Sequence, residues 1–130
     1  MADEVNYGCP KCWPESAEAA WEARRQFERR RELIEESHFH VLILACSACG
    51  QAFLSVSTEL IDYGGDDSQG WMLMPLTAEE ERALIDLPES EVDRAIYAIG
   101  EDRRSLWKIH PRGTSAWCAW SRGVVRLPHD

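Results

Sequence analysis

The chain has no apolar run longer than six residues, Val41 to Cys46, whereas a membrane-spanning helix needs about 20. Its start, Met1-Ala2-Asp3-Glu4, is acidic and lacks the basic and then apolar stretch of a secretory signal. Together these absences predict a cytoplasmic protein with no membrane segment. There is no internal repeat and no low-complexity segment. Gly64-Gly65 is not a phosphate loop, because the GxxxxGK(S/T) pattern and the helix after it are missing. Asp62, Asp66 and Asp67 do not have the spacing of an EF-hand loop, and a solvated turn accounts for them. No nucleophile, base and orienting acid stand at a recognised spacing, and His110 and His129 sit in no motif. The expectation is therefore a protein that is not an enzyme.

What is present suits one compact domain over residues 1–130. The 130 residues are 45% hydrophobic and include six tryptophans, enough apolar surface to offset the entropy of ordering a modest core. The net charge of -9 is unevenly placed. Residues 1–56 carry 9 acidic and 6 basic side chains, residues 57–102 carry 13 and 2, and residues 103–130 carry 1 and 6. Broad polyanion binding depends on Lys and Arg neutralising phosphates, so only the basic C-terminal segment suits it.

Cysteine carries the strongest signal. Of five cysteines, four form two CxxC pairs, Cys9-Pro10-Lys11-Cys12 and Cys46-Ser47-Ala48-Cys49. In a reducing compartment such pairs are more often metal ligands than disulfides. Two intervening residues let the chain turn tightly enough for both sulfurs to reach one ion at about 2.3 Å, and two such turns complete a tetrahedron around Zn²⁺. Gly50, just after the second pair, supplies the positive φ that such a turn often needs; Trp13 holds the corresponding place after the first. Four thiolates close the coordination shell, so one structural zinc is expected. The competing chemistry is a thiol oxidoreductase, since Cys9 and Cys12 precede a helix start and a helix N-terminus lowers a thiol pKa. That reading lacks a βαβ setting and leaves the second pair without a role. Cys118, between Trp117 and Trp120, reads as a small buried hydrophobe.

On Cys9, Cys12, Cys46, Cys49 and Gly50 the segment from Tyr7 to Tyr63 resembles the zinc-ribbon group, in which two CxxC knuckles on β-hairpins clasp one zinc. More loosely it resembles small uncharacterised bacterial proteins that pair a CPxC with a second CxxC. The departure is the interval of 33 residues between Cys12 and Cys46, long for a plain ribbon.

That interval reads as a helix from Pro14 to about Glu36. Pro14 and the acidic Glu15 and Glu18 open it, and Ala19, Ala20, Ala23, Phe27 and Ile34 share an arc of about 100°. Trp21 falls outside the stripe, either packed on a loop or knuckle or exposed as an anchor for a partner. The arginines at 24, 25 and 29–31 have glutamates three or four residues away, so internal pairing is their default account. His38–Ala45 and Gln51–Ile61 read as strands of a hairpin around the second pair, with His38 and His40 on one face as conceivable substitutes for a thiolate. A third strand is expected over Trp71–Met74. Thr77 and Glu80 form a capping box for a helix to about Leu87, and Ser90 opens another that ends near Gly100.

In the last 28 residues Trp107, Trp117 and Trp120 interleave with basic residues, either as core facing the acidic middle section or as a platform for single-stranded nucleic acid. Short strands are expected near 106–109, 116–120 and 124–127. The resulting expectation is an α+β fold: a zinc-ribbon-like antiparallel hairpin core (7–63) with a helix inserted between the knuckles at about 14–36, then a helical and short-strand part over 71–130. The leading function is a structural-zinc, non-catalytic interaction module of bacterial type, an adaptor or regulator that binds another protein. A nucleic-acid-binding module is the alternative, and a CxxC oxidoreductase the second. Candidate metal ligands are Cys9, Cys12, Cys46 and Cys49; candidate partner contacts are Trp21, Arg103, Arg104, Trp107 and Arg126.

Overall fold

The computed structural model describes residues 7–60, 68–110 and 115–124. Its centre is an open antiparallel sheet of six strands in the order β1-β2-β3-β4-β5-β6, each paired with its neighbour in sequence. The strands are β1 (Phe27–Glu36), β2 (Phe39–Cys46), β3 (Ala52–Leu60), β4 (Ser68–Pro75), β5 (Arg104–His110) and β6 (Trp117–Arg122). Three short helices accompany them: α1 (Ala17–Ala23), α2 (Ala78–Ile85) and α3 (Glu89–Ala95). Among the described residues no helix is long and apolar enough to cross a membrane.

Alternation along the strands divides the core into two layers. On one face Phe39, Val41 and Ile43 of β2 meet Leu54 and Val56 of β3 and Met72 and Met74 of β4, under Leu84 of α2 and Val92 of α3. On the other face Leu44, Phe53, Leu73 and Leu106 lie under Ala17 and Ala20 of α1, together with Cys12 and Cys46. The expected capping box is present: Thr77 Oγ1 accepts from the Glu80 N–H at 3.1 Å, and the Thr77 N–H donates to Glu80 Oε1 at 2.8 Å.

The helix expected over 14–36 is not there, and with it falls the expected zinc-ribbon-like hairpin core with a helix inserted between the knuckles. Ser16 caps α1 by accepting from the Ala19 N–H at 3.2 Å, but the helix ends at Ala23, tightens through a single 3₁₀ turn at Arg24–Gln26 and opens into β1. The misreading has a physical cause. The pairing of β1 with β2 slips between Arg29 and Arg31 and again between Glu32 and Ile34, so Arg30 and Leu33 are bulged residues that break the period of two. β1 is also an edge strand with mostly exposed charged side chains, a common defence against edge-to-edge association. Its charges, broken alternation and good intrinsic helix propensity imitate a surface helix. Two expected i,i+3 ion pairs do form, Glu22–Arg25 and Arg29–Glu32, the second along the bulged strand.

The hairpin around the second CxxC is present, with β2 and β3 in register from Phe39↔Thr58 to Ala45↔Ala52. The first CxxC sits on no hairpin, since the segment from Cys9 to Ser16 leads straight into α1. The third helix starts after Pro88 rather than Ser90. The Asp62–Asp67 loop and the strand expected over 124–127 lie wholly or mostly outside the described residues.

Candidate metal centre

The sheet delivers the second pair of thiols from the C-terminal end of β2. Cys46 ends the strand, and its N–H donates across to Gln51 O at 2.9 Å, closing the turn that leads into β3. Inside that turn the Gly50 N–H donates to Cys46 O at 2.9 Å, and the Ala48 N–H points at Cys46 Sγ at 3.3 Å. Gly50 has φ +80°, the left-handed conformation anticipated for it. The first pair makes a matching turn, with the N–H groups of Cys12 and Trp13 donating to Cys9 O at 3.1 and 2.9 Å.

Two residues dock the turns on each other. The Gly8 N–H donates to Gln51 Oε1 at 3.0 Å, while Gln51 Nε2 donates to Ala52 O at 2.8 Å and Leu76 O at 2.7 Å. Gly8 has φ +68°, and a Cβ there would stand 2.6 Å from Cys12 Sγ. Aromatic rings close the site from the sheet side: Trp13 lies 5.4 Å from Phe53 and 5.0 Å from Trp120, and Phe27 stacks on Phe53 at 4.8 Å.

The result is a cluster in which the sulfurs of Cys9, Cys12, Cys46 and Cys49 all lie within 4.8 Å of one another. Three of the separations are 3.7 Å (Cys9–Cys12), 3.9 Å (Cys9–Cys46) and 3.8 Å (Cys12–Cys49). A tetrahedron with metal–sulfur bonds of about 2.3 Å has edges of about 3.8 Å, so the cluster has the size of a tetrathiolate shell. Cys12 and Cys46 are buried, Cys9 is partly covered and Cys49 is exposed. Without a metal the thiols differ: a hydrogen bond from the Cys12 backbone is the largest influence on Cys9 and brings it down to about 7, whereas burial pushes Cys12 and Cys49 up. A bound cation stabilises thiolates and so would offset the cost that burial puts on Cys12. Among the described residues this is the one group of three or more ligand-type side chains drawn within reach of a single ion.

His38 and His40 cannot substitute for a thiolate. They stand at the opposite end of β2 from Cys46, and six residues of strand span about 20 Å. Cys118 is half-buried against the layer beneath α1, outside the cluster, and burial raises its pKa.

The candidate partner contacts are largely engaged inside the molecule. Trp21 is half-buried, 5.4 Å from Trp71, with the Arg24 guanidinium 3.6 Å above its ring. Arg103 grips both oxygens of Glu80 at 2.6 and 3.0 Å and donates to Pro75 O at 2.9 Å. Arg104 lies 4.0 Å over the Trp120 ring and 5.2 Å over Trp13. Trp107 packs against the layer under α2 and α3. Arg126 lies outside the described residues. Trp117, 43% exposed, is the one large hydrophobic open to solvent among the described residues.

Reading the sequence missed Gly8 and Gln51. Gly8 stands immediately before the first CxxC, which is a usable signal; a glutamine just after Gly50 carries none. Beyond the cysteine pattern the chain has no guide from likeness: no family model, no curated protein and no solved structure matches it.

Proposed function

We propose that this chain is a zinc-stapled, non-catalytic module that binds another protein. The observation that carries the metal half is the four-sulfur cluster, all within 4.8 Å of one another and with three separations of 3.7 to 3.9 Å. Four thiolates and no oxygen ligand favour zinc among common divalent ions, and a complete shell leaves no position for substrate. The ion ties the segment before α1 to the β2–β3 turn, 37 residues away in sequence, so its binding energy is folding energy.

The partner half rests on β6. It pairs only with β5 among the described residues, and its first residue is the exposed Trp117. An edge strand beside an exposed tryptophan suits strand addition by a partner chain with an aromatic anchor. The internal engagement of Arg103 and Arg104 weighs against a nucleic-acid platform.

The test compares wild type with Trp117→Ser, both zinc-loaded, for capture of proteins from the native host. A partner held by wild type and lost from a folded, zinc-bound Trp117→Ser protein supports the reading. Identical capture by both contradicts it.

A further inference from the structure

The face of the sheet that carries the cysteine cluster at one end carries a second constellation at the other. There, beside the contact of Trp21 of α1 with Trp71, a cavity of about 230 Å³ is lined in part by His38, His40, Ser57, Glu59, Gln69 and Trp71. Register explains the gathering. Glu59 donates its N–H to His38 O at 3.0 Å and pairs with Gln69 of β4, while His40 stands opposite Ser57, which stands opposite Trp71.

The polar side chains are connected in an ordered way. His38 Nδ1 lies 3.1 Å from Glu59 Oε1, and Gln69 Nε2 donates to Glu59 Oε2 at 3.0 Å. A carboxylate fixed by a second donor and facing Nδ1 favours the tautomer with the proton on Nδ1, in which Nε2 is the nitrogen whose lone pair can reach a metal. This is the orientation that metal-binding histidines show, their other ring N–H donated to a carboxylate. His40 is two residues further on, so both rings rise from the same face, and imidazoles at such spacing reach a common ion at 2.0–2.1 Å. His110 shares the rung of Gln69, but it is three strands from His38, about 14 Å, and stands outside.

We propose that His38 and His40 form a second metal site, for a late divalent transition-metal ion such as zinc, nickel or cobalt, with Glu59 as the positioning carboxylate behind His38. Two imidazoles leave coordination positions for water or an exogenous ligand in the cavity beside Trp71, unlike the closed shell of the four thiolates. Neither the ligands nor the cavity involve the cysteines.

The test uses the zinc-loaded full chain and Ni²⁺ alone as probe. Native mass spectrometry should count one Ni²⁺ in addition to zinc, and calorimetry should show that His38→Ala and His40→Ala abolish its binding. Glu59→Gln should weaken it about tenfold or more, and His110→Ala should leave it unchanged. A readout that needs no variant guards against misfolding: the paramagnetic ion should broaden the ring proton signals of His38 and His40 more strongly than those of His110. No bound Ni²⁺, retention by the folded His38 and His40 variants, or equal broadening of His38, His40 and His110 overturns the proposal. Failure of the thiolate reading is seen separately, as absence of zinc from the starting protein.

Discussion

The N–H of Gly8 donates to Gln51 Oε1 at 3.0 Å across 43 positions of sequence, and through that bond the two cysteine turns hold one geometry. Gly8 is irreplaceable for two separate reasons, its φ of +68° and the 2.6 Å that would separate a Cβ from Cys12 Sγ. Gly50 shares only the first, since a Cβ there meets nothing within 4 Å. Left-handed backbone costs a residue with a Cβ about 1–2 kcal/mol. Gly50→Ala should therefore lower stability by about that amount with metal affinity nearly intact, whereas Gly8→Ala should also weaken the metal. Chelator competition alongside thermal unfolding separates the two. Equal metal affinity in both variants would contradict the assigned contact.

Gln51 satisfies three backbone groups at once, the Gly8 N–H and the carbonyls of Ala52 and Leu76. Truncation leaves partly buried groups unpaired, each worth about 1–3 kcal/mol. Gln51→Ala should lower unfolding free energy within or above that range and increase the rate of metal loss to a chelator. Gln51→Glu keeps the acceptor for Gly8 but turns a carboxylate oxygen toward the carbonyls of Ala52 and Leu76, and it should be at least as destabilising as Gln51→Ala.

Glu80 links α2 to the C-terminal strands through Arg103, side chains that are 24% and 15% exposed. Burial pushes the Glu80 carboxyl up, but hydrogen bonds from Arg103 and Thr77 overcome it and hold the group below its ordinary value of 4.5. A carboxyl with a depressed folded pKa stabilises above its unfolded pKa, and that contribution is lost as pH falls through the folded value. Glu80→Gln should be less stable than wild type at pH 7, and the difference should shrink as pH falls below about 4.5. Denaturant unfolding at pH 7 and at acid pH checks it; a gap that is constant or widens in acid would contradict the assigned pair.

The four-cysteine cluster was legible in the sequence because its pattern is local: CxxC sets each turn, and only the convergence of the two turns needed the fold. Strands β2 and β3 were legible from their alternation, and α2 from Thr77 and Glu80. β1 was not, because Arg30 and Leu33 are bulged and the strand lies at an edge where charge replaces alternation. The roles of Gln51 and of the His38–Glu59–Gln69 chain were hidden for a different reason. They depend on cross-strand register, which brings positions 10 to 43 residues apart into contact and leaves no motif along the chain. Trp21 and Arg104 show the same limit: along the chain Trp21 could be either packed or exposed and Arg104 was a candidate partner contact, and only the fold placed Trp71 beside the first and Trp120 under the second.

The central claim is that four thiolates hold one structural ion, and native mass spectrometry of freshly purified protein tests it, with Cys12→Ser and Cys118→Ser beside wild type. Wild type and Cys118→Ser should each carry one zinc per chain at the thiolate site, wild type should show five titratable thiols after denaturation in chelator, and Cys12→Ser should lose both metal and fold. A metal-free wild-type chain lighter by two protons, still folded when Cys12 is replaced, would contradict it and make Cys9 and Cys12 a redox pair.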